Sequence, residues 1–230
     1  MSKALWCVVP AAGRGTRMGA DCPKQYLPLA GKPLIAHTLE RLAAHPRIAG
    51  LMVVLGAQDD LWPGIASLHG KPVCTAVGGI ERSDSVLAGL QALPPEVDAD
   101  DFVLVHDAAR PCVREGDIAR LVERACEADG GLLGAPLRDT LKRAGDGDRS
   151  LATEPREQRW RAFTPQLFRR GELVAALRAV ACDGRAVSDE AMAMELAGFR
   201  PLLVEGAEDN IKVTTAADLA LAEFLLARTA

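Results

Sequence analysis

The chain has 230 residues, with 27 Lys and Arg against 31 Asp and Glu and a formal net charge of −4. That length is ordinary for one domain able to bury roughly 70% of its unfolded surface, and the acidic balance argues against a surface devoted to nucleic acid. Six cysteines without a CxxC pair and four histidines without an HExxH exclude a structural zinc and lead us to expect reduced thiols.

The first predicted strand is Trp6 to Val9, a short apolar run suited to a buried parallel sheet. Residues Pro10 to Lys24 follow and read P-A-A-G-R-G-T-R-M-G-A-D-C-P-K, with Gly13, Gly15, Arg14, Arg17 and Lys24. A loop leaving the carboxyl end of such a strand is where open α/β sheets bind ligands. Its glycines let backbone N–H groups approach an anion, and three cations exceed what a neutral ligand needs, so the loop reads as a polyphosphate site. Gly19 falls one residue late for a dinucleotide fingerprint, and no Walker A loop is present. Gly-x-Gly alone reads equally well as a tight turn; the cations favour the phosphate.

A helix is expected from Pro33-Leu34-Ile35, with Ile35, Leu39 and Leu42 on one face and an end near His45-Pro46. Strands follow at Leu51 to Leu55 and Val73 to Val77, then a helix from Ser83 to Leu93 carrying Val86, Leu87 and Leu90 and closed by Pro94-Pro95. A strand at Phe102 to Val105, a helix at Asp117 to Ala128 and a strand at Leu132 to Ala135 continue the alternation, which predicts an α/β, Rossmann-like fold whose mostly parallel sheet is covered by helices on both faces. Between Pro136 and Arg159 the composition turns polar and glycine-containing. That stretch reads either as a mobile surface loop or as a projecting β arm, in which 137–142 and 151–153 pair around Gly145-Asp146-Gly147-Asp148. A two-stranded arm is marginal alone in water and would lie on a partner subunit, so a homodimer is expected if the arm forms. Helices at Gly171 to Val180 and Ala216 to Ala227 complete the pattern, the last packing Leu219, Leu221, Phe224 and Leu225. Residues 1–230 thus read as one domain, with 136–159 as an excursion within it. No run is long enough to span a bilayer, and the N-terminal apolar stretch is too brief for a secretory signal, so a cytoplasmic location is expected.

Further site candidates fall at predicted element ends. Val105-His106-Asp107-Ala108-Ala109-Arg110-Pro111 sits at the carboxyl end of a strand, where an acid could hold Mg²⁺ or a sugar hydroxyl. His106 is disfavoured as a base, because a phosphate monoester with a second pKa near 6 is already largely dianionic and can attack a nucleotide α-phosphate unaided. Such a reaction needs alignment and charge neutralisation, which lysines, arginines and Mg²⁺ supply. Lys212, between Ile211 and Val213, is expected to point from an alternating strand into a polar cleft. Arg156 within the excursion and Thr164-Pro165-Gln166 after it add a cation and a hydroxyl. Each of these residues, taken alone, reads more simply as structural or solvated.

The segments P-A-A-G-x-G-x-R-M, C-P-K-Q-Y-L, G-G-x-E-R-x-D-S-V-L-A-G-L, V-H-D-A-A-R-P, A-P-x-R-D-T-x-K-R, T-P-Q and V-E-G-x-x-D-N-I-K-V-T together resemble the 2-C-methyl-D-erythritol 4-phosphate cytidylyltransferase family over nearly the whole length. The resemblance implies transfer of CMP from CTP to the phosphate of methylerythritol phosphate, with pyrophosphate leaving and Mg²⁺ or another divalent cation assisting. It implies catalytic roles for Arg17, Lys24 and Lys212 around the α-phosphate, and for Arg156, supplied across a dimer, on the attacking phosphate. It further implies nucleotide recognition by Ala11, Ala12, Gly13, Gly15, Gly79 and Ser85, and polyol phosphate recognition by Asp107, Arg110, Thr140 and Thr164. Ile80 and Thr16 depart from the pattern, standing where relatives often carry a polar residue and an arginine. The alternatives are a ribitol 5-phosphate cytidylyltransferase and, from a different class, a regulatory module that binds nucleotide without catalysis.

Overall fold

A computed structural model describes residues 5–13 and 22–228. In chain order its strands and helices are β1 (Leu5–Pro10), β2 (Pro28–Leu29), β3 (Lys32–Pro33), α1 (Leu34–Ala44), β4 (Ile48–Leu55), β5 (Ser67–Leu68), β6 (Lys71–Val77), α2 (Arg82–Gln91), β7 (Phe102–Val105), α3 (Glu115–Ala125), β8 (Gly131–Pro136), β9 (Leu141–Ala144), β10 (Ser150–Glu154), β11 (Trp160–Arg169), α4 (Arg170–Cys182), α5 (Glu190–Leu196), β12 (Leu202–Glu205) and α6 (Ala216–Ala227). The large sheet runs β12-β8-β11-β7-β1-β4-β6-β5. Its pairings β1–β4, β1–β7, β4–β6 and β8–β12 are parallel, whereas β11 lies antiparallel between β7 and β8, and β5 pairs antiparallel at the edge.

Alternation along β1 divides the core between the two faces of the sheet, because successive side chains of a strand point to opposite sides. Leu5, Cys7 and Val9 pack with Ile35, Leu39 and Leu42 of α1 and with Ile118 and Leu121 of α3. Trp6 and Val8 face α2 and α4 through Val86, Leu90, Leu173 and Leu177. Each fully buried aliphatic side chain contributes roughly 1.5–3 kcal/mol of transfer free energy. This double covering explains why the central strands are apolar at every position and stand out in the sequence.

Several elements differ from the sequence expectation. β11 was not expected, since Pro165 argues against a central strand. The chain accommodates it where the β11–β8 register shifts between Ala162 and Gln166, so that the missing N–H costs no ladder bond. α5 and β12 are also absent from the sequence expectation. Lys212 does not belong to a strand: 211–214 is irregular, joined to the fold by the Val213 N–H donating to the Ala109 carbonyl at 2.8 Å. α6 has the expected bounds but leaves Leu221 and Phe224 exposed, and it seats Ala222 and Leu226 beside Leu29, Leu34 and Val213. Its residues are apolar nearly all round, so periodicity does not choose the buried face.

The excursion forms an antiparallel pair of its own, with β9 and β10 aligned as Leu141↔Glu154, Lys142↔Thr153 and Arg143↔Ala152. The pairing is shifted toward the turn relative to expectation, and 137–140 stay outside the ladder. The base of the arm is held by Glu208, which pairs with Arg138 and Arg161.

Candidate active site

The carboxyl ends of β1, β6 and β7 open into one cleft, lined by Pro10, Ala11, Ala12, Gly13, Lys24, Gln25, residues 79–82, Ser85, residues 107–109 and Lys212. Its floor is fixed by backbone pairing. The Ala11 N–H donates to the Val54 carbonyl at 2.8 Å, and the buried Gln25 donates its amide to the Ala11 carbonyl at 2.7 Å, tying the 24–26 turn to the end of β1. Gln25 thereby sets where Lys24 emerges. The Lys24 ammonium donates to the Val213 carbonyl at 3.3 Å, next in the chain to Lys212, so the two lysines reach the cleft from opposite ends of the sequence.

The other wall is the start of α2. Its capping box joins the Glu81 side chain to the Asp84 N–H and the Asp84 side chain to the Glu81 N–H, supplying two of the partners that a helix N-terminus lacks. Ser85 is buried and donates its hydroxyl to the Glu81 carbonyl at 3.2 Å. A side chain at position 78 would begin 2.6 Å from the Ser85 Oγ and 2.8 Å from the Ala12 Cβ. Glycine there lets the two walls approach closely.

At the back lies Asp107. Its Oδ1 accepts from Arg82 Nε at 2.9 Å and its Oδ2 pairs with Lys212 Nζ at 2.8 Å, while Arg110 Nε stands 3.6 Å away. Burial alone would raise this carboxyl, but the charges of Arg82, Lys212 and Arg110 outweigh burial and hold it far below the usual carboxylate range. Asp107 is therefore an anion throughout the neutral range.

Arg110 and Thr164 stand behind Asp107 and do not line the cleft. Arg110 donates to the Asn210 carbonyl at 2.6 Å, and the Asn210 side chain donates to the Thr164 carbonyl at 2.8 Å, which stitches the 206–213 segment to β11. The Thr164 Oγ accepts from the Asp107 N–H at 3.0 Å and lies 3.0 Å from His106 Nδ1. With the hydroxyl donating to Nδ1, the network assigns the imidazole proton to Nε2, which donates to the Arg110 carbonyl at 3.1 Å. His106 is fully buried, and burial pushes its pKa down to about 4 from the ordinary 6.5. It is a neutral strut with both ring nitrogens engaged.

That strut has a measurable consequence. Above about pH 6.5 the histidine is neutral in both folded and unfolded chains; as the pH falls toward 4, only the unfolded chain takes up the proton, so the contribution present at neutral pH is lost across that window. Urea midpoints at pH 7 and pH 4.5 should show the parent chain losing about 2–3 kcal/mol more than His106→Gln. Equal losses in the two proteins would mean that the imidazole is not held neutral.

Arg156 and Thr140 sit apart from the cleft, in a hollow of the arm formed with Thr153, Glu154, Pro155 and Glu157. Both are exposed, and the Arg156 guanidinium donates to the Arg138 carbonyl. Arg14, Gly15, Thr16 and Arg17 lie outside the described residues. Arg82, which lines the cleft, and Glu190, which lies beneath it, escape the sequence argument; they form a bidentate pair at 2.6 and 3.0 Å. The capping box around Glu81 could have signalled that Arg82 opens a helix facing the β1 loop; nothing local marks Glu190. Among the described residues no cluster of three or more His, Cys, Asp or Glu suited to a metal occurs.

A family model described as IspD, 2-C-methyl-D-erythritol 4-phosphate cytidylyltransferase, matches residues 5–228. The chain is 61% identical over 231 residues to the enzyme of that name from Stenotrophomonas maltophilia strain K279a, with 100% of both chains covered. It is 58% identical over 229 residues to the enzyme from Xylella fastidiosa strain M23, covering 99% of each. The crystal structure of the Francisella tularensis enzyme is 33% identical and superposes with a TM-score of 0.82, covering 97% of this chain and 100% of that one.

Proposed function

The chain belongs to the 2-C-methyl-D-erythritol 4-phosphate cytidylyltransferase family, and from that premise we propose that the cleft between the β1 loop and α2 is where CTP and the polyol phosphate meet. The protein is a nucleotidyltransferase: it moves CMP from CTP to 2-C-methyl-D-erythritol 4-phosphate and releases pyrophosphate, a step of isoprenoid precursor synthesis. The observation that carries the assignment of the cleft is the convergence there of Lys24, Lys212, Asp107 and Ser85 from four separate segments of the chain.

In this reading cytidine lies between residues 11–13 and Gly79–Ser85, with the cytosine amino and carbonyl groups met by backbone and the Ser85 hydroxyl. A pocket satisfying those groups leaves a polar atom unpaired when uracil enters. Lys24 and Lys212 flank the α-phosphate, and the family resemblance implies a third cation from Arg17. One oxygen of the polyol phosphate, already dianionic, forms the new P–O bond as the α–β bridging bond breaks and its electron pair leaves with pyrophosphate. Fixed cations neutralise the charge that builds on the non-bridging oxygens. Asp107 faces the polyol hydroxyls, with Arg110 and Thr164 holding it in place.

Mg²⁺ fits as an ion carried by the nucleotide. Of the cleft carboxylates, Glu81 caps α2, and Asp107 is bound by Arg82 and Lys212. Among the described residues of the cleft neither carboxylate stands open to an ion, so phosphates and waters would supply most of its shell, as Mg²⁺ commonly arranges. The ion would lower the charge of the triphosphate and of the departing pyrophosphate.

A homodimer follows from the arm, an isolated two-stranded sheet with Leu151 exposed, which gains by lying on a second copy and carries Arg156 outward. No helix among the described residues is long and apolar enough to cross a membrane. The acidic charge balance fits a cytoplasmic enzyme of small-molecule substrates.

The test pairs CTP and Mg²⁺ with methylerythritol phosphate and, separately, with ribitol 5-phosphate, resolving products by mass. Conversion of the first to 4-diphosphocytidyl-2-C-methyl-D-erythritol with stoichiometric pyrophosphate is expected. Turnover of ribitol 5-phosphate alone would overturn the substrate, and nucleotide binding without turnover of either would favour the regulatory module.

A further inference from the structure

We propose that Glu190 is a positioning residue for this transfer: through Arg82 it decides which oxygen of Asp107 is left to face Lys212 and the incoming polyol. The inference rests on the functional reading above and adds to it a residue that does not line the cleft.

Glu190 is 1% exposed, at the first turn of α5. Its two carboxylate oxygens accept from the two terminal nitrogens of Arg82, at 2.6 and 3.0 Å. A bidentate fork fixes the guanidinium plane as well as its position. With that plane fixed, the remaining Nε points at Asp107 Oδ1, 2.9 Å away, and Oδ2 is left for Lys212 at 2.8 Å. The four groups form a relay of alternating charge, Glu190–Arg82–Asp107–Lys212, running from the interior to the cleft.

A buried carboxylate costs several kcal/mol of desolvation, and apolar packing would hold a helix more cheaply. α5 is already anchored without it. Asp189 caps the helix by accepting from the Met192 N–H at 3.0 Å, Gln166 bonds both Asp189 and the Ala191 N–H, and Ala191, Ala193 and Met194 enter the core. What Glu190 adds beyond this is control of Arg82. Burial disfavours the charge on Arg82, but Glu190 and Asp107 overcome it and push its pKa up, so the guanidinium stays charged. Released from Glu190, that cation could take both oxygens of Asp107 or turn to the triphosphate. Either move displaces the carboxylate from the polyol and frees Lys212 in the wrong place.

The experiment is steady-state kinetics on the full chain with CTP, Mg²⁺ and methylerythritol phosphate. Glu190→Gln keeps the shape but replaces an acceptor with a donor opposite a donor. It should lower kcat/KM for the polyol phosphate by about tenfold or more, the scale of a small misplacement of a reacting group, with KM for CTP changed less than about threefold. In an Asp107→Asn background the same substitution should cost less than about twofold, because the residue through which it acts is already gone. Arg82→Lys, which keeps charge and loses the fork, provides the same readout should Glu190→Gln fold poorly. A kcat/KM within twofold of the parent, or losses that multiply undiminished in the Asp107→Asn background, would overturn the proposal. An inactive parent chain would instead defeat the functional reading, so the two failures are distinct.

Discussion

Lys212→Ala should lower turnover by at least about two orders of magnitude, and Lys24→Ala by a similar factor, the scale seen when a donor aimed at developing transition-state charge is removed. The two ammonium groups enter the cleft from distant segments, Lys24 held on the Val213 carbonyl and Lys212 on the Asp107 carboxylate. That convergence is maintained by contacts with no direct part in binding: Gln25 on Ala11, Asn210 on Thr164, and the Val213 N–H on Ala109. A site built only to bind nucleotide would gain little from it, since charge placed for the transition state accelerates reaction only when it is stronger there than in the ground state. Single-turnover measurements at saturating CTP check the prediction. Near-normal turnover of both variants would remove the lysines from the chemistry.

The second large effect concerns the arm. Arg156→Ala should raise KM for the polyol phosphate far more than KM for CTP, because the reading places this charge on the attacking phosphate. In the chain itself Arg156 is exposed in the hollow of the arm and is absent from the cleft lining. It would reach a phosphate only in a partner's cleft. Co-folding Arg156→Ala with Lys212→Ala subunits then restores activity, since each mixed dimer holds one site with both native residues. Half of randomly formed dimers are mixed and one of their two sites is intact, so recovery approaches roughly a quarter of the parent activity. Activity no greater than the sum of the two variants would return Arg156 to its own chain's surface.

How much of this was legible in the sequence depended on how locally each feature is determined. Central strands buried on both faces advertise themselves as unbroken apolar runs, and β1, β4, β7 and β8 fall where those runs lie, while β6, beside the sheet edge, is largely half-buried or exposed. β11 was hidden because its proline is tolerated only by virtue of a register shift against β8, a property of the pair and not of the segment. The faces of α6 were hidden for the opposite reason: apolar on nearly every side, it carries no asymmetry until Leu29, Leu34 and Val213 supply a surface to pack on. Within the site, Lys24, Asp107 and Lys212 stand at element ends or in irregular segments, where charged residues between apolar ones attract notice. The Arg82–Glu190 pair spans 108 residues and leaves no local trace. Arg110 and Thr164 illustrate the remaining gap. The family resemblance implies that they contact the polyol phosphate, while no feature of the sequence announces the bonds they make here, Arg110 to the Asn210 carbonyl and Thr164 to the Asp107 N–H.

The central claim is that a phosphate oxygen of the polyol substrate itself attacks the α-phosphorus of CTP, with unlabelled pyrophosphate as the leaving group. Methylerythritol phosphate carrying ¹⁸O in its phosphate group tests this most directly. The account predicts that all of the label appears in the diphosphocytidyl product and none in pyrophosphate; label in pyrophosphate, or unlabelled product, would contradict it.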